Sequence, residues 1–599
     1  MSQAGYSVAP IHHSAFTVVT MRSLLLLLLA TLPVTAQSPS DSVVPDLRTV
    51  MAMPRSEMAA VIERWQADRG ALGRRYSVAQ SPVRRDRFRQ FHGAWLAQVE
   101  GLPFATLSRA AQVDAVLLRN RLRYELQLLE REGLLAAEMA PLMRFADTLY
   151  VLLEERRRLE RPDPATAARR LAWMTESIGE TRRAVVAPGS TRPSRIVAFR
   201  AAELVSELRR DFDAWRRFYV GYDPEITWRT AEPSREFGEA LDGWRKMLRE
   251  QLVGVREGQD EPIVGDPIGR AGLQADLANE MIPYTPEELI ALAEREFAWL
   301  EGEARRAARD MGLGDDWRAA LERTKNDFPD VGGQVLAVRD MAHEAVAFVE
   351  SRNLVTVPAL AKEVWRMEMM SAEAQKTNPF FLGGEVIQVA SPTDGQSELE
   401  KVMALRANNR HFSRATVHHE LIPGHHLQGF AAQRNNSGYR GVFSTPFYTE
   451  GWALWWELHL WELNFQVTPE NRMGMLFWRM HRAARIIFSL KFHLGEWTPE
   501  QCIDFLVERV GHERASATGE VRRSFNGNYS PLYQAGYLLG GMQLRALHDE
   551  LVIRGSMSER AFHDAVLASG QMPIEMVRAL LRPDIPLRID QPSQWKFAQ

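Results

Sequence analysis

The segment from Ala110 to Glu130 constrains the fold most, because its apolar side chains recur at helical spacing on two opposite faces. One face carries Val113, Val116, Leu117, Tyr124 and Leu128, and the other carries Leu118, Leu122, Leu126 and Leu129. A helix that is apolar on two sides is packed between neighbours rather than laid on a surface. We therefore expect a protein built from packed helices.

Helix-start signals recur along the rest of the chain. Asp163-Pro164 combines a capping carboxylate with a proline in the first turn, and a long helical run is expected over residues 195–219. Thr285-Pro286-Glu287-Glu288 and Thr498-Pro499-Glu500-Gln501 read as capping boxes. The best strand candidate is the segment 380–390. The sequence therefore predicts a mostly α protein with a small β-sheet.

The length of 599 residues exceeds what one hydrophobic core usually serves. The Gly-, Pro- and Asp-rich stretch Gly258–Gly272 favours a boundary there. We expect an N-terminal extension with a signal peptide over residues 1–36, a helical N-terminal lobe over 37–265 and a catalytic lobe over 266–599.

Charge and cysteine content exclude several classes of function. The formal net charge is −3, so the chain has no overall field suited to nucleic acid or to an anionic membrane. Cys502 is the one cysteine, so neither an intrachain disulfide nor a cysteine zinc site can form. Its place in a helix-like run favours a small buried side chain.

The N-terminus has the pattern of an export signal. Met21-Arg22 precedes a leucine run and the small-residue exit Val34-Thr35-Ala36, which predicts cleavage before Gln37. No cysteine follows the run, which excludes lipoprotein processing, and an uncleaved N-terminal anchor is the alternative. The rest of the chain has no apolar stretch of about 18 residues. We expect a periplasmic or secreted protein with no integral membrane segment in its mature form.

The segment 418–426 carries four histidines, His418, His419, His425 and His426. Zinc hydrolases commonly place two histidines one helical turn apart, with a glutamate beside the first as base. Here His419-Glu420 supplies the first half, but no histidine stands at position 423. On a straight helix His425 points away from His419, and His426 lies about 10 Å further along the axis. A straight helix therefore fails as a metal site.

Pro423 and Gly424 remove that objection. Proline lacks a backbone donor and disfavours the α region for Ile422, and glycine permits unusual backbone angles. A distorted turn would bring His425 to His419, with His426 as the alternative ligand and His418 as a weaker one. The hypothesis is a zinc site, because that many histidines are hard to explain by packing.

A further ligand is expected from a second element. Glu450 opens an aromatic helix 25 residues after His425. A carboxylate there would be half buried and would need a partner, which a zinc ion provides. Interaction with the helix dipole is the competing explanation. Glu457, farther along the same helix, is the alternative ligand or a group that supports one.

These motifs resemble a known family. His419-Glu420, Pro423-Gly424-His425-His426 and Glu450-Gly451-Trp452-Ala453 look like the bacterial family named domain of unknown function 885. Further agreement comes from Ile268-Gly269-Arg270, Tyr284-Thr285-Pro286, Arg485 to His493 and Tyr537 to Gly540, so the resemblance spans roughly residues 45–595.

That family is in turn similar to the gluzincin peptidases, whose ligands are two histidines and a downstream glutamate. The resemblance implies a two-lobed helical metallopeptidase-like fold, with the small β-sheet beside the metal-binding helix. Its helical members carry glycine before the second histidine, which favours His425 over His426. It also implies that Tyr537, or Tyr533, donates to the tetrahedral intermediate and that His493 reaches the substrate or supports the site.

The expected activity is zinc-dependent hydrolysis of a peptide or amide substrate. His419, His425 and Glu450 would hold the zinc, and Glu420 would act as general base. The strand near 380–390 would hold an extended peptide by edge pairing. The alternatives are a metal-dependent amidase on a non-peptide substrate and a non-catalytic binding protein of peptidase ancestry.

Overall fold

The computed structural model describes residues 44–375, 378, 380–527 and 529–598. The predicted signal peptide and its cleavage site at Ala36-Gln37 lie outside the described residues. Helix accounts for 69% of the structure, which confirms the expectation of a mostly helical chain. Within the described residues, no helix has the length and apolarity that crossing a membrane requires.

The first part of the described chain contains eight α-helices. They are α1 (Leu47–Met51), α2 (Ala59–Arg75), α3 (Pro82–Glu100), α4 (Arg109–Met139), α5 (Ala146–Arg157), α6 (Pro164–Val186), α7 (Arg195–Tyr219) and α8 (Pro224–Met247). Helix α4 contains the two-faced segment, and residues of both predicted faces, including Val113 and Leu118, are fully buried. The Asp163 side chain accepts from the amide of Thr166, which confirms the predicted start of α6.

The remaining helices surround the candidate site. They are α9 (Gly269–Asn279), α10 (Pro286–Asp310), α11 (Trp317–Lys325), α12 (Gln334–Ser351), α13 (Ala359–Val364), α14 (Ala372–Gln375), α15 (Glu398–Ala407), α16 (Arg410–Glu420), α17 (His425–Ala432), α18 (Pro446–Glu462), α19 (Pro469–His493), α20 (Pro499–Phe505), α21 (Arg514–Phe525), α22 (Tyr533–His548), α23 (Glu559–Ser569) and α24 (Ile574–Leu581). Both predicted capping boxes are present, at the starts of α10 and α20.

A two-stranded parallel sheet accompanies these helices, with β1 (Arg366–Met369) paired to β2 (Val386–Val389). Strand β2 lies inside the predicted strand segment. Ahead of it the chain folds back, so that Leu382 pairs with Gln388 in an antiparallel bridge. Strand β1 was not predicted, because Arg-Met-Glu-Met alternates polar and apolar residues over only four positions and contains no β-branched or aromatic residue.

The apolar core is divided. One cluster consists of buried apolar side chains between Met139 and Val264, together with Val78. Along the sequence it ends close to the predicted boundary at residue 265. A larger cluster joins the C-terminal helices to α2, α3 and the first part of α4. The apolar faces of these three N-terminal helices therefore pack with the C-terminal half, and the division into domains stays a prediction.

Close packing of α18 against α22 positions one wall of the candidate site. Gly451 of α18 faces Gly540 of α22, and a Cβ added to Gly451 would lie 2.6 Å from the Cα of Gly540. Only glycine permits two backbones to approach this closely. The contact therefore holds the residues at the start of α22 beside Glu450. Helix α16 packs against α19 on the other side.

Candidate metal centre

The histidine-rich segment is two helices separated by a tight turn. Helix α16 ends at Glu420 and α17 begins at His425. The turn contains a cis peptide bond between Ile422 and Pro423. It is closed by hydrogen bonds from the amide of Gly424 to the carbonyl of His418 and from the amide of His426 to the carbonyl of Leu421, each 3.0 Å long. This is the distortion that the Pro-Gly pair predicts.

Glycine is required at position 424. A Cβ there would collide with the carbonyl oxygen of His419, which lies one turn back in the chain. On its other side the turn is held by α18, since the indole Nε1 of Trp452 donates to the carbonyl of Pro423 over 2.9 Å. The same helix that carries Glu450 thus fixes the turn that carries His425.

Three predicted ligands converge across this turn. The Nε2 atom of His425 lies 3.1 Å from Oε2 of Glu450, and Nε2 of His419 lies 3.6 Å from the same oxygen. The two imidazole rings are 4.8 Å apart between centroids. All three side chains are largely buried, with His425 the most exposed at 15%.

The two donor separations to Glu450 are compatible with zinc coordination, whereas the group of donor atoms at this site that all lie within 4.8 Å of one another consists of His419, Glu420 and His425. Donor atoms at about 2.05 Å from zinc in a tetrahedral site are about 3.3 Å from one another. The two distances to Oε2 of Glu450 lie on either side of that value. Two imidazoles and a carboxylate are also a donor set that zinc hydrolases use, with a further position left for water or substrate.

The other two histidines of the segment point elsewhere. His426 directs Nε2 to the carbonyl oxygen of Ala361 over 2.7 Å. His418 is 1% exposed and packs edge-on against Phe465, and burial lowers its pKa to about 3. Of the two candidates for second ligand, the structure brings His425 and not His426 to the site.

Glu420 lies beside the cluster at the edge of the sheet. One oxygen of Glu420 and a nitrogen of each of His419 and His425 lie within 4.8 Å of one another. The amide of Gly384 donates to the Glu420 carbonyl over 3.1 Å, and a Cβ on Gly383 would collide with the Glu420 carboxylate. Burial raises the pKa of Glu420, as suits a group that accepts a proton during a reaction.

Glu457 lies at the other ring nitrogen of His419 from Glu450. Its Oε1 atom lies 2.7 Å from Nδ1 of His419 and 3.3 Å from Nη2 of Arg482. Burial alone would raise the pKa of Glu457, but Arg482 and His419 lower it to about 2. A carboxylate on the far nitrogen of an imidazole fixes its tautomer and directs Nε2 toward a metal.

Buried carboxylates and imidazoles shift one another's pKa at this site. Burial alone would lower the pKa of His419, but Glu450 and Glu457 raise it to about 9. Burial would likewise raise the pKa of Glu450, and the neighbouring imidazoles of His425 and His419 lower it well below its usual value. A divalent ion would supply positive charge beside these carboxylates.

Two tyrosines of α22 complete this wall. The hydroxyl of Tyr533 donates to Oε1 of Glu450 over 2.6 Å. The ring of Tyr537 lies nearly parallel to that of His419, with centroids 6.2 Å apart. Burial raises the pKa of both phenols, so both remain protonated and able to donate.

His493 is not brought to the site. It packs against Phe492 and Phe525, and burial lowers its pKa to about 4. Arg485 of the same helix lines the cavity, and His493 follows it by eight residues, or about 12 Å along the helix axis. The structure therefore does not support the role expected for His493.

Three arginines that sequence reasoning missed line the same cavity of about 360 Å³. Arg482 and Arg485 of α19 place their guanidinium groups over the Tyr537 ring, and Arg523 of α21 faces Tyr529. Within the described residues, Nη1 of Arg485 is buried without a hydrogen-bond partner. The sequence did contain a signal for two of the three arginines. Arg482 and Arg485 are three residues apart among apolar residues, so a helix places both charges on one buried face.

Comparison with known proteins identifies the chain by family. A family model described as "Bacterial protein of unknown function (DUF885)" matches residues 67–581. A search of curated proteins finds no significant match.

Two solved structures share the fold. A "putative lipoprotein of unknown function" from Shewanella oneidensis is 17% identical and superposes with a TM-score of 0.64, over 87% of this chain and 98% of its own. A "putative lipoprotein" from Colwellia psychrerythraea is 16% identical and has a TM-score of 0.54, over 84% of this chain and 92% of its own. At these identities the likeness concerns the fold alone.

Proposed function

This chain belongs to the DUF885 family of bacterial proteins of unknown function, and we propose that it is an exported zinc-dependent peptidase. The observation that carries the proposal is the convergence of His419, His425 and Glu450 beside Glu420, on the wall of one cavity. A set of metal ligands with no general base beside it would favour a structural metal site. A base beside an open cavity favours hydrolysis.

Each group has a defined part in the proposed reaction. A zinc ion held by His419, His425 and Glu450 would lower the pKa of a water molecule and polarise the scissile carbonyl. Glu420 takes a proton from the attacking water and passes it to the leaving amine. Glu457 keeps the imidazole of His419 in the required tautomer.

Tyr537 is the proposed donor to the oxyanion. Its ring lies beside that of His419, and its phenol is protonated and lines the cavity. Tyr533 already donates to Glu450, so its part is to hold that carboxylate in place. One well-placed oxyanion donor contributes about 3–4 kcal/mol to catalysis.

The backbone around Gly383 is the proposed place for the substrate chain. Phe380 to Gly383 line the cavity next to Glu420. An extended peptide there would pair with this edge through its main chain, which accommodates many side-chain sequences.

Export is proposed from the N-terminal sequence. The leucine run and Val34-Thr35-Ala36 fit a cleaved signal. The two solved structures compared above each bear the description "putative lipoprotein". Here no cysteine follows the leucine run, so we propose release by cleavage near Ala36-Gln37 rather than lipid attachment.

Metal content and peptide cleavage, measured together, test the proposed activity. The purified protein is loaded with zinc and incubated with a mixed-sequence peptide library, and cleavage is followed by mass spectrometry. Wild type should cleave peptides, and Glu420→Gln should keep its zinc and lose activity by about 100-fold or more.

Other outcomes point to the alternatives. Hydrolysis of acylated small molecules but not of peptides would indicate an amidase. Zinc binding without hydrolysis of either class would indicate a binding protein. Full activity in a zinc-loaded Glu420→Gln protein would rule out the proposed mechanism.

A further inference from the structure

We propose that His459, His548 and Glu559 form a second zinc site, separate from the candidate catalytic centre. The three residues come from three helices, α18, α22 and α23, and meet at the far end of α18. One donor atom from each lies within 4.8 Å of the others. Two imidazoles and a carboxylate again form a donor set suited to zinc.

The donor separations are those of a coordination shell. Nε2 of His548 lies 3.0 Å from Oε2 of Glu559, and Nε2 of His459 lies 3.3 Å from the same oxygen. Tetrahedral zinc ligands are about 3.3 Å apart. Glu559 is 31% exposed, which leaves room for water as a fourth ligand, whereas both histidines are nearly inaccessible.

His459 gives the independent sign that a ligand is missing. It is 3% exposed, and within the described residues neither ring nitrogen has a hydrogen-bond partner. Its Nε2 lies 3.3 Å from Oε2 of Glu559, so that carboxylate is its nearest charged neighbour, and Nδ1 faces no polar group in the described part of the chain. His548, in contrast, directs Nε2 to both oxygens of Glu559 at 3.0 Å, and a bound ion would replace that contact. A buried imidazole left without any partner is costly.

A single ion cannot serve both sites. His459 follows Glu450 by nine residues on α18, which is about 13 Å along the helix axis. The second ion would instead tie the end of α18 to α22 and α23. Since α18 also carries Glu450 and Glu457, this cross-link would brace the helix on which the catalytic centre depends.

A neighbouring histidine is excluded as a ligand and provides the control. Nδ1 of His563 contacts the carbonyl of Leu354 at 2.8 Å, and Nε2 accepts from the indole of Trp455 at 2.9 Å. Both of its nitrogens are therefore occupied. His563→Gln should leave the number of bound ions unchanged, although the ring lies only 5.5 Å from that of His459.

Zinc stoichiometry tests the inference without reference to activity. The full chain is loaded with zinc, dialysed against metal-free buffer and measured by mass spectrometry of the metal. Wild type and His563→Gln should hold two ions per chain. His459→Gln and His548→Gln should each hold one, with thermal unfolding several degrees lower. His425→Gln, which alters only the catalytic centre, should also hold one.

The pattern separates the two sites. One ion in wild type, lost in His425→Gln and kept in His548→Gln, would overturn the second site and leave the proposed function standing. One ion in wild type, kept in His425→Gln and lost in His548→Gln, would support the second site and contradict the proposed function. Anomalous diffraction at the zinc edge from wild-type crystals decides the question if a variant does not fold. Two peaks are expected, and no peak between His459, His548 and Glu559 would overturn the inference.

Discussion

The imidazole Nδ1 of His419 lies 2.7 Å from the Glu457 carboxylate, two turns along α18 from Glu450. One helix therefore supplies both a proposed metal ligand and the group that orients another ligand. Removing such an orienting carboxylate typically weakens metal affinity about 10- to 100-fold.

We expect Glu457→Gln to weaken zinc binding by that factor, because the amide loses the charge that holds the tautomer of His419. A competition titration against a fluorescent zinc chelator measures the dissociation constant. Glu462→Gln is the control, since Glu462 is on the same helix but pairs with Arg545 at the surface. Equal affinities in the two variants would count against an orienting role for Glu457.

Gly424→Ala should disrupt the turn between the two histidines. Its Cβ would collide with the carbonyl of His419, so the turn must open and separate His425 from His419. We expect weaker zinc binding and a loss of roughly 1–3 kcal/mol in the free energy of unfolding. Gly429→Ala on α17 is the matched control, because a Cβ there meets no atom within 4 Å. Unchanged zinc affinity in Gly424→Ala would show that the turn does not need glycine.

Arg523→Gln should weaken recognition of substrates that carry a carboxylate in the cavity. Three guanidinium groups, of Arg482, Arg485 and Arg523, line the cavity and pair with two buried carboxylates, Glu457 and Glu520. Counted with these two carboxylates alone, the three arginines carry one excess positive charge at their end of the cavity, which suits the C-terminal carboxylate of a peptide. We expect KM to rise about tenfold for peptides with a free C-terminus, with little change for the same peptides amidated.

The neighbouring arginine of α21 provides the control. Arg522 donates to the backbone carbonyl of Glu261 and does not line the cavity. Arg522→Gln should therefore leave KM unchanged for both peptide sets. An equal rise in KM for free and amidated peptides in Arg523→Gln would mean that the effect is not recognition of a terminal carboxylate.

Glu280 should make stability depend on pH. Burial raises its pKa to about 8 from the usual 4.5. The folded chain therefore keeps a proton that the unfolded chain releases between these values. Its contribution to stability is fully present below about pH 4.5 and is lost as pH rises toward 8, with a slope of up to about 1.4 kcal/mol per pH unit.

A neutral glutamine at position 280 cannot release a proton, so this loss of stability at higher pH should disappear. The melting temperature of Glu280→Gln, measured by calorimetry, should be close to that of wild type at pH 5. From pH 6 to pH 8 it should exceed that of wild type by a growing margin. The exposed Glu257→Gln should follow wild type throughout. A difference between Glu280→Gln and wild type that does not grow with pH would contradict the assignment.

Local chemistry made much of the fold predictable. The capping residues Asp163, Thr285 and Thr498 start helices where expected, because a cap acts through atoms three residues away. Strand β1 escaped prediction, since Arg366–Met369 is a strand only through its pairing with Val386–Val389. The packing of α2 to α4 with the C-terminal helices likewise depends on partners distant in the sequence.

The sequence by itself determined that His419 and His425 need a broken helix between them, because Pro423 and Gly424 act on their own backbone. The family resemblance favoured His425 over His426, and tertiary structure decided that His425 faces Glu450, since α18 holds the turn through Trp452. Tertiary structure also gathered Arg482, Arg485 and Arg523 in one cavity and joined His459, His548 and Glu559 across three helices. These contacts link residues far apart in the chain, so they depend on how helices pack, which local spacing does not specify.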